Sequence, residues 1–142
     1  MSESLIAHHE AAHACLAILR GVPVRRCSIV PTRTTRGHML PAIPTGAIEI
    51  SDLIVMWLAG DAAERRVAGT AALSENDIAH ASMLVAALAG AELDSPAVTA
   101  SLARFQLLAD AQVALHWSWI ERVASALLRK GTLDGGDVAD LM

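Results

Sequence analysis

The stretch SLIAHHEAAHACLAILR, residues 4–20, decides the reading of this chain. It is rich in alanine and leucine, which favour helix. Ser2 or Ser4 can cap it, and Gly21 and Pro23 supply the stop signal, so a first helix over Ser4 to Arg20 is expected. Within it, His9, Glu10 and His13 form H-E-x-x-H. Positions i and i+4 share one helix face, so His9 and His13 can present two imidazoles to one zinc ion, with Glu10 beside a bound water. Zinc would lower the pKa of that water and polarise a carbonyl, and the carboxylate would take the proton and return it to the leaving amine. His8 points about 100° away around the helix and reads as a solvated or packing residue.

Outward from this helix, Val24 to Val30 is β-prone and ends at Pro31, and a second extended piece covers about His38 to Ala42. Together they suggest a small hairpin or sheet. Ser51 and Asp52 open a second helix expected over Asp52 to Ala68, closed by Gly69. Ser74 and Asp77 have capping-box spacing and place a third helix at about Glu75 to Gly90. Ser95 and Pro96 are an N-cap and first-position pair for a helical stretch to Lys130, with a break expected near His116, and Gly131 ends it. A short terminal helix, Gly136 to Met142, completes a mostly α fold: one compact helical domain over residues 1–142 with a small β-hairpin or sheet near the site.

Composition agrees with a packed domain. The chain has 142 residues, 54 % hydrophobic and 18 % charged, which opposes disorder. Fifteen acidic against eleven basic residues leave a net charge of −4 and no electrostatic footprint for nucleic acid. Apolar runs such as Leu53 to Gly60 are far short of a membrane span, and MSESLIAHHE has neither the basic nor the long apolar part of a secretory signal, so a cytoplasmic location is expected. Cys15 and Cys27 read as free thiols, and Trp57, Trp117, Trp119 and Phe105 as packing anchors.

A catalytic zinc holds three protein ligands and one open position, so a third ligand must come from elsewhere. Glu64 and Asp77 are the candidates. Glu64 could equally be a helix carboxylate paired with Arg65 or Arg66, and Asp77 could equally be a cap residue complementing the helix dipole. Gly37, His38, Met39 and Leu40 could form an edge strand on which an extended peptide lies by β-augmentation, and His38 could contact substrate or an oxyanion or be a plain surface histidine. With no tyrosine in the chain, transition-state stabilisation would fall to the zinc and to backbone amides.

These residues, taken in order, resemble the peptidase domain of the FtsH-type, ATP-dependent zinc proteases over nearly the whole chain. AHHEAAHA is similar to that family's HEAGHA helix, PVRRCSIVPTRTTRGHML to its strand, proline and glycine segment, LIVMWLAGDAAERRVAG to its LGGRAAE helix, and ALSENDIAHASMLVAAL to its TTGASNDL segment and following helix. The tail ALLRKGTLDGGDVADL is similar to its closing helices. The resemblance implies Zn2+ held by His9, His13 and Asp77, Glu10 as general base, and Glu64 near the site orienting a histidine. It implies a metalloendopeptidase acting on peptide or unfolded protein substrates. Oligomerisation with further copies of the chain follows from the family's rings, and a separate ATPase partner from the lack of a G-x-x-x-x-G-K-[ST] loop here. Departures from the family pattern are Ala12 for a glycine, Asp61 for a basic residue, and a shorter loop between Thr70 and Asn76. The alternative is a catalytically inactive, zinc-containing relative serving as an interaction or regulatory module.

Overall fold

A computed structural model describes residues 2–33, 36–41, 48–71 and 75–142. Among these residues, six helices and a small antiparallel sheet follow one another as α1 (Glu3–Leu19), β1 (Val24–Ser28), β2 (His38–Pro41), α2 (Ile50–Ala68), α3 (Glu75–Ala89), α4 (Pro96–Leu115), α5 (Trp117–Lys130), β3 (Thr132–Asp134) and α6 (Gly135–Asp140). The mostly α fold with a small sheet expected from the sequence is observed.

α1 is the central element, buried from Ile6 through Ala17 except at His8. Its alanines make this possible, because Ala7, Ala11, Ala12 and Ala14 add little bulk and let α2 and α5 approach closely. Ser2 caps it, its hydroxyl accepting from the Leu5 amide at 3.2 Å. The helix ends where Gly21 takes φ +81°, and the Val22 amide then donates to the Ala17 carbonyl at 2.8 Å.

The sheet has strand order β2-β1-β3. The hairpin of β1 and β2 is as expected, although β1 stops at Ser28, short of Val30, and Ala42 lies outside the described residues. The third strand, β3, was not foreseen, because three residues after a helix-ending glycine carry too little pattern to read as a strand. Pairing with β1, Cys27 against Leu133, supplies its hydrogen bonds and its definition.

Helical punctuation follows local chemistry elsewhere. Ser95 accepts from the Val98 amide at 3.3 Å with Pro96 opening α4. The expected break falls at His116, whose φ of −108° and ψ of 20° separate α4 from α5. Trp119 is a buried anchor, its indole N–H donating to the Val138 carbonyl at 2.9 Å and fastening α6 to α5. Trp57, Trp117 and Phe105 are half-buried. Ser74, the cap expected for α3, lies outside the described residues. Among the described residues, no helix is long and apolar enough to cross a membrane.

Both thiols are buried and free. Burial raises the Cys27 thiol well above its ordinary value near 9, and the neighbouring Glu10 and Cys15 push it the same way. The native state therefore keeps a proton that the unfolded chain releases above about pH 9, so stability falls as pH rises past that point, by ~1.4 kcal/mol per pH unit for this thiol. Burial raises the Cys15 thiol in the same direction, so it adds a slope of its own. Urea unfolding at a series of alkaline pH values is expected to show the combined decline, and Cys27→Ala to make it shallower while leaving the Cys15 share.

Candidate metal centre

Three elements build the site. α1 supplies His9, Glu10 and His13 on its inward face; α2 packs along that face with Trp57, Gly60 and Glu64, which recur at helical spacing; and the first turn of α3 supplies Asp77. His9 Nε2 and His13 Nε2 are 3.0 Å apart, and Asp77 Oδ2 is 3.0 Å from each.

The other ring nitrogens explain this convergence. His13 Nδ1 lies 2.8 Å from the Met56 carbonyl, an acceptor only, so Nδ1 carries the hydrogen. His9 Nδ1 lies 3.0 Å from Glu64 Oε2 and donates to that carboxylate. Both Nε2 atoms are thereby left as lone pairs facing each other and a carboxylate oxygen. Three acceptors this close repel unless a positive charge sits among them.

The electrostatics express the same demand. Burial lowers the basicity of His9, but the hydrogen-bonding carboxylates of Asp77 and Glu64, with Glu10 nearby, outweigh it and raise its pKa to about 10. For Asp77, burial favours the neutral acid, and the adjoining His13 and His9 overcome this and hold the carboxyl well below its usual range. A proton on His9 is the smallest cation that meets the need. The donor set of two imidazoles and one carboxylate, oriented from behind, suits a divalent ion such as zinc: tetrahedral bonds of ~2.0–2.2 Å space ligand atoms by roughly 3.3–3.6 Å, a few tenths of an ångström wider than the 3.0 Å separations here.

Glu10 stands beside this cluster, its Oε1 4.0 Å from His9 Nε2, and does not join it. Burial raises its pKa, with His13 and His9 acting against the rise. Its backbone carbonyl accepts from the Cys27 thiol at 3.4 Å, which ties α1 to β1. Across the cleft, the chain at Gly37 passes so close that a Cβ there would lie 3.1 Å from Glu10 Cγ and 2.8 Å from Ile6 Cγ2.

Glu64 is fully buried and faces His9. Its neighbours have other partners: Arg65 is paired with Asp61 and reaches Asp110 on α4, and Arg66 lies over the Trp117 ring at 5.0 Å. Asp61, at the position where the resemblance expects a basic residue, is thus one end of a link between α2 and α4. His8 is turned away from the site, stacked on Trp117 with ring centres 5.5 Å apart.

The site opens into a cleft of about 470 Å3 that takes in His9, Glu10 and His13, Gly37 to Met39, and Trp57 with His80. β2 is an outer strand of the sheet, so the proposed peptide edge lies at this cleft. Alternation along the strand sets Met39 opposite Cys27 on the face toward α1, and His38 opposite Ser28 on the other face. His38 nonetheless lines the same cleft as His9, Glu10 and His13, and burial lowers its pKa, with Arg26 acting in the same direction.

Two contributors escape a reading of the sequence. Trp57 meets the His13 ring edge-on at 6.2 Å and stacks on His80 at 4.5 Å, lining the site's wall. Gly60 is the second: a Cβ there would fall 2.5 Å from His9 Cε1 and 2.6 Å from His13 Nε2. A glycine inside an alanine-rich helix, at a helix cost of ~1 kcal/mol, was the available signal. Gly60→Ala is expected to cut zinc affinity by more than about tenfold while leaving helix content intact, because both rings must move. Calorimetric zinc titration beside circular dichroism checks this, and undiminished affinity would contradict it.

No protein-family model matches this chain, and no curated protein matches it in sequence.

Proposed function

We propose that this chain is a zinc metallopeptidase domain resembling those of FtsH-type proteases, hydrolysing peptide bonds of peptide or unfolded protein substrates in the cytoplasm. The observation that carries the reading is the meeting of His9, His13 and Asp77 at 3.0 Å with a separate, buried carboxylate beside them. A zinc ion bound by those three residues would supply Lewis acidity and a nucleophilic water at neutral pH. With such an ion held there, the Glu10 carboxylate beside it would be placed to accept a proton and to return one to a departing amine. Glu64 and the Met56 carbonyl hold the two imidazoles in the tautomer that keeps Nε2 free. An extended substrate adds to the edge of β2, which aligns its backbone along the cleft. These 142 residues hold no G-x-x-x-x-G-K-[ST] loop, so unfolding of folded substrates falls to an ATPase outside them, whereas short peptides need none.

Hydrolysis of a quenched fluorescent peptide by zinc-loaded protein, lost on chelation and in Glu10→Gln, tests the proposal. Full zinc occupancy without turnover would overturn it.

A further inference from the structure

Charge is spread unevenly along this chain. Residues 11–48 hold five arginines and no aspartate or glutamate, whereas the remainder carries all fifteen acidic residues against six basic ones. The hairpin of β1 and β2 lies in that segment, so a positive patch stands on a negative protein. Of the five, Arg20 is neutralised by Asp52 at 3.2 Å. Arg25, Arg26, Arg33 and Arg36 are exposed and make no ion pair among the described residues. Asp134 stands opposite Arg26 in the register of β1 and β3, but its carboxylate accepts from the Asp137 amide at 2.8 Å and caps α6 instead.

One of these four arginines reaches the metal centre. Arg36 lines its cleft, and the next residue, Gly37, is pressed against α1, where a Cβ would lie 3.1 Å from Glu10 Cγ. Arg36 is thereby held one residue from the point at which the chain passes Glu10, and just before β2, the outer strand along which an extended peptide adds. The facing wall has the opposite sign, with Glu75 and Asp77 in the first turn of α3. Asp77 is engaged by both histidines, Glu75 is exposed, and no ion pair joins Arg36 to Glu75. A peptide in this cleft lies between a basic strand and an acidic helix end, and the unpaired guanidinium of Arg36 offers two parallel donors that match a carboxylate.

We infer that Arg36 selects the substrate: the cleft takes peptides with an acidic side chain within about two residues of the scissile bond, the span an arginine covers along an extended chain at ~3.3 Å per residue. The carboxylate pairs with Arg36, while Arg25, Arg26 and Arg33 draw such peptides to a protein whose net charge would otherwise repel them. The inference rests on the peptidase reading for its substrate class, since it takes the cleft to be a peptide site.

The test uses three apolar peptides that differ only at two central positions, occupied by Glu, Gln or Lys, with acetylated and amidated ends so that side chains alone carry charge. Their binding to the full, zinc-loaded Glu10→Gln chain is read by fluorescence anisotropy, and their cleavage by the wild type is read in parallel. The Glu peptide is expected to bind about tenfold more tightly than the Lys peptide, with the difference shrinking as salt rises from about 50 to about 500 mM. Adding Arg36→Glu is expected to reverse that order. Arg129→Glu, at the far end of α5, makes the same change in net charge and is expected to leave the order as it was. Equal binding of the three peptides, binding of none, or an order that survives Arg36→Glu would each overturn the inference. Failure of the peptidase reading looks different: the Glu peptide would bind in preference to the Lys peptide and neither would be cleaved by the zinc-loaded wild type.

Discussion

Purified protein equilibrated with zinc is expected to hold about one ion per chain, and His13→Ala and Asp77→Ala to hold next to none. Each variant removes one of three donor atoms that lie 3.0 Å apart, and two donors do not make a zinc site. Glu64→Gln should behave differently. It keeps a hydrogen-bond acceptor for His9 but loses the charge that makes the imidazole a better ligand, so zinc binding weakens by about 10–100-fold without disappearing. Stability should report the same order. Zinc at a hundred times its dissociation constant stabilises the folded wild type by about 2.7 kcal/mol and His13→Ala by almost nothing. Elemental analysis and thermal unfolding with and without zinc read both. Zinc lost with Glu64→Gln but retained with Asp77→Ala would exchange the roles assigned to these carboxylates, and a folded wild type that binds no zinc would end the metallopeptidase reading.

Glu10→Gln is expected to abolish most peptide cleavage, by a factor of about 10²–10⁴, with zinc stoichiometry unchanged. The substitution keeps the size of the side chain and removes only the capacity to accept a proton. The fold should tolerate it well. Glu10 is a buried carboxylate outside the three converging donors, and burial already opposes its ionised form, so a neutral amide of the same shape removes a desolvation cost. An unchanged or higher thermal midpoint together with lost turnover identifies the base. A wild type that is inert at full occupancy, and that unfolds when zinc is chelated, would instead assign the metal a purely structural role.

The sequence by itself determined the parts of this protein that are local. Two histidines four residues apart on a helix share a face whatever surrounds them, and the Ser95-Pro96 start of α4 and the turn at Gly21 follow from backbone chemistry within one turn. The third converging donor was not local. Glu64 and Asp77 each had an adequate explanation within their own helix, an arginine pair or a cap, and neighbouring residues alone left the choice open; only a resemblance between families favoured Asp77. Tertiary packing set Glu64 behind His9 at 3.0 Å and Asp77 across both Nε2 atoms, because α2 lies along α1 while α3 begins at the mouth of the site. Gly60 acquires its importance in the same way, since its missing side chain matters only where two rings from another helix occupy the space. β3 exists only by pairing with β1. Helical periodicity tells which residues share a face; which faces meet is decided by long-range burial, and that is the step at which scattered donors become one site.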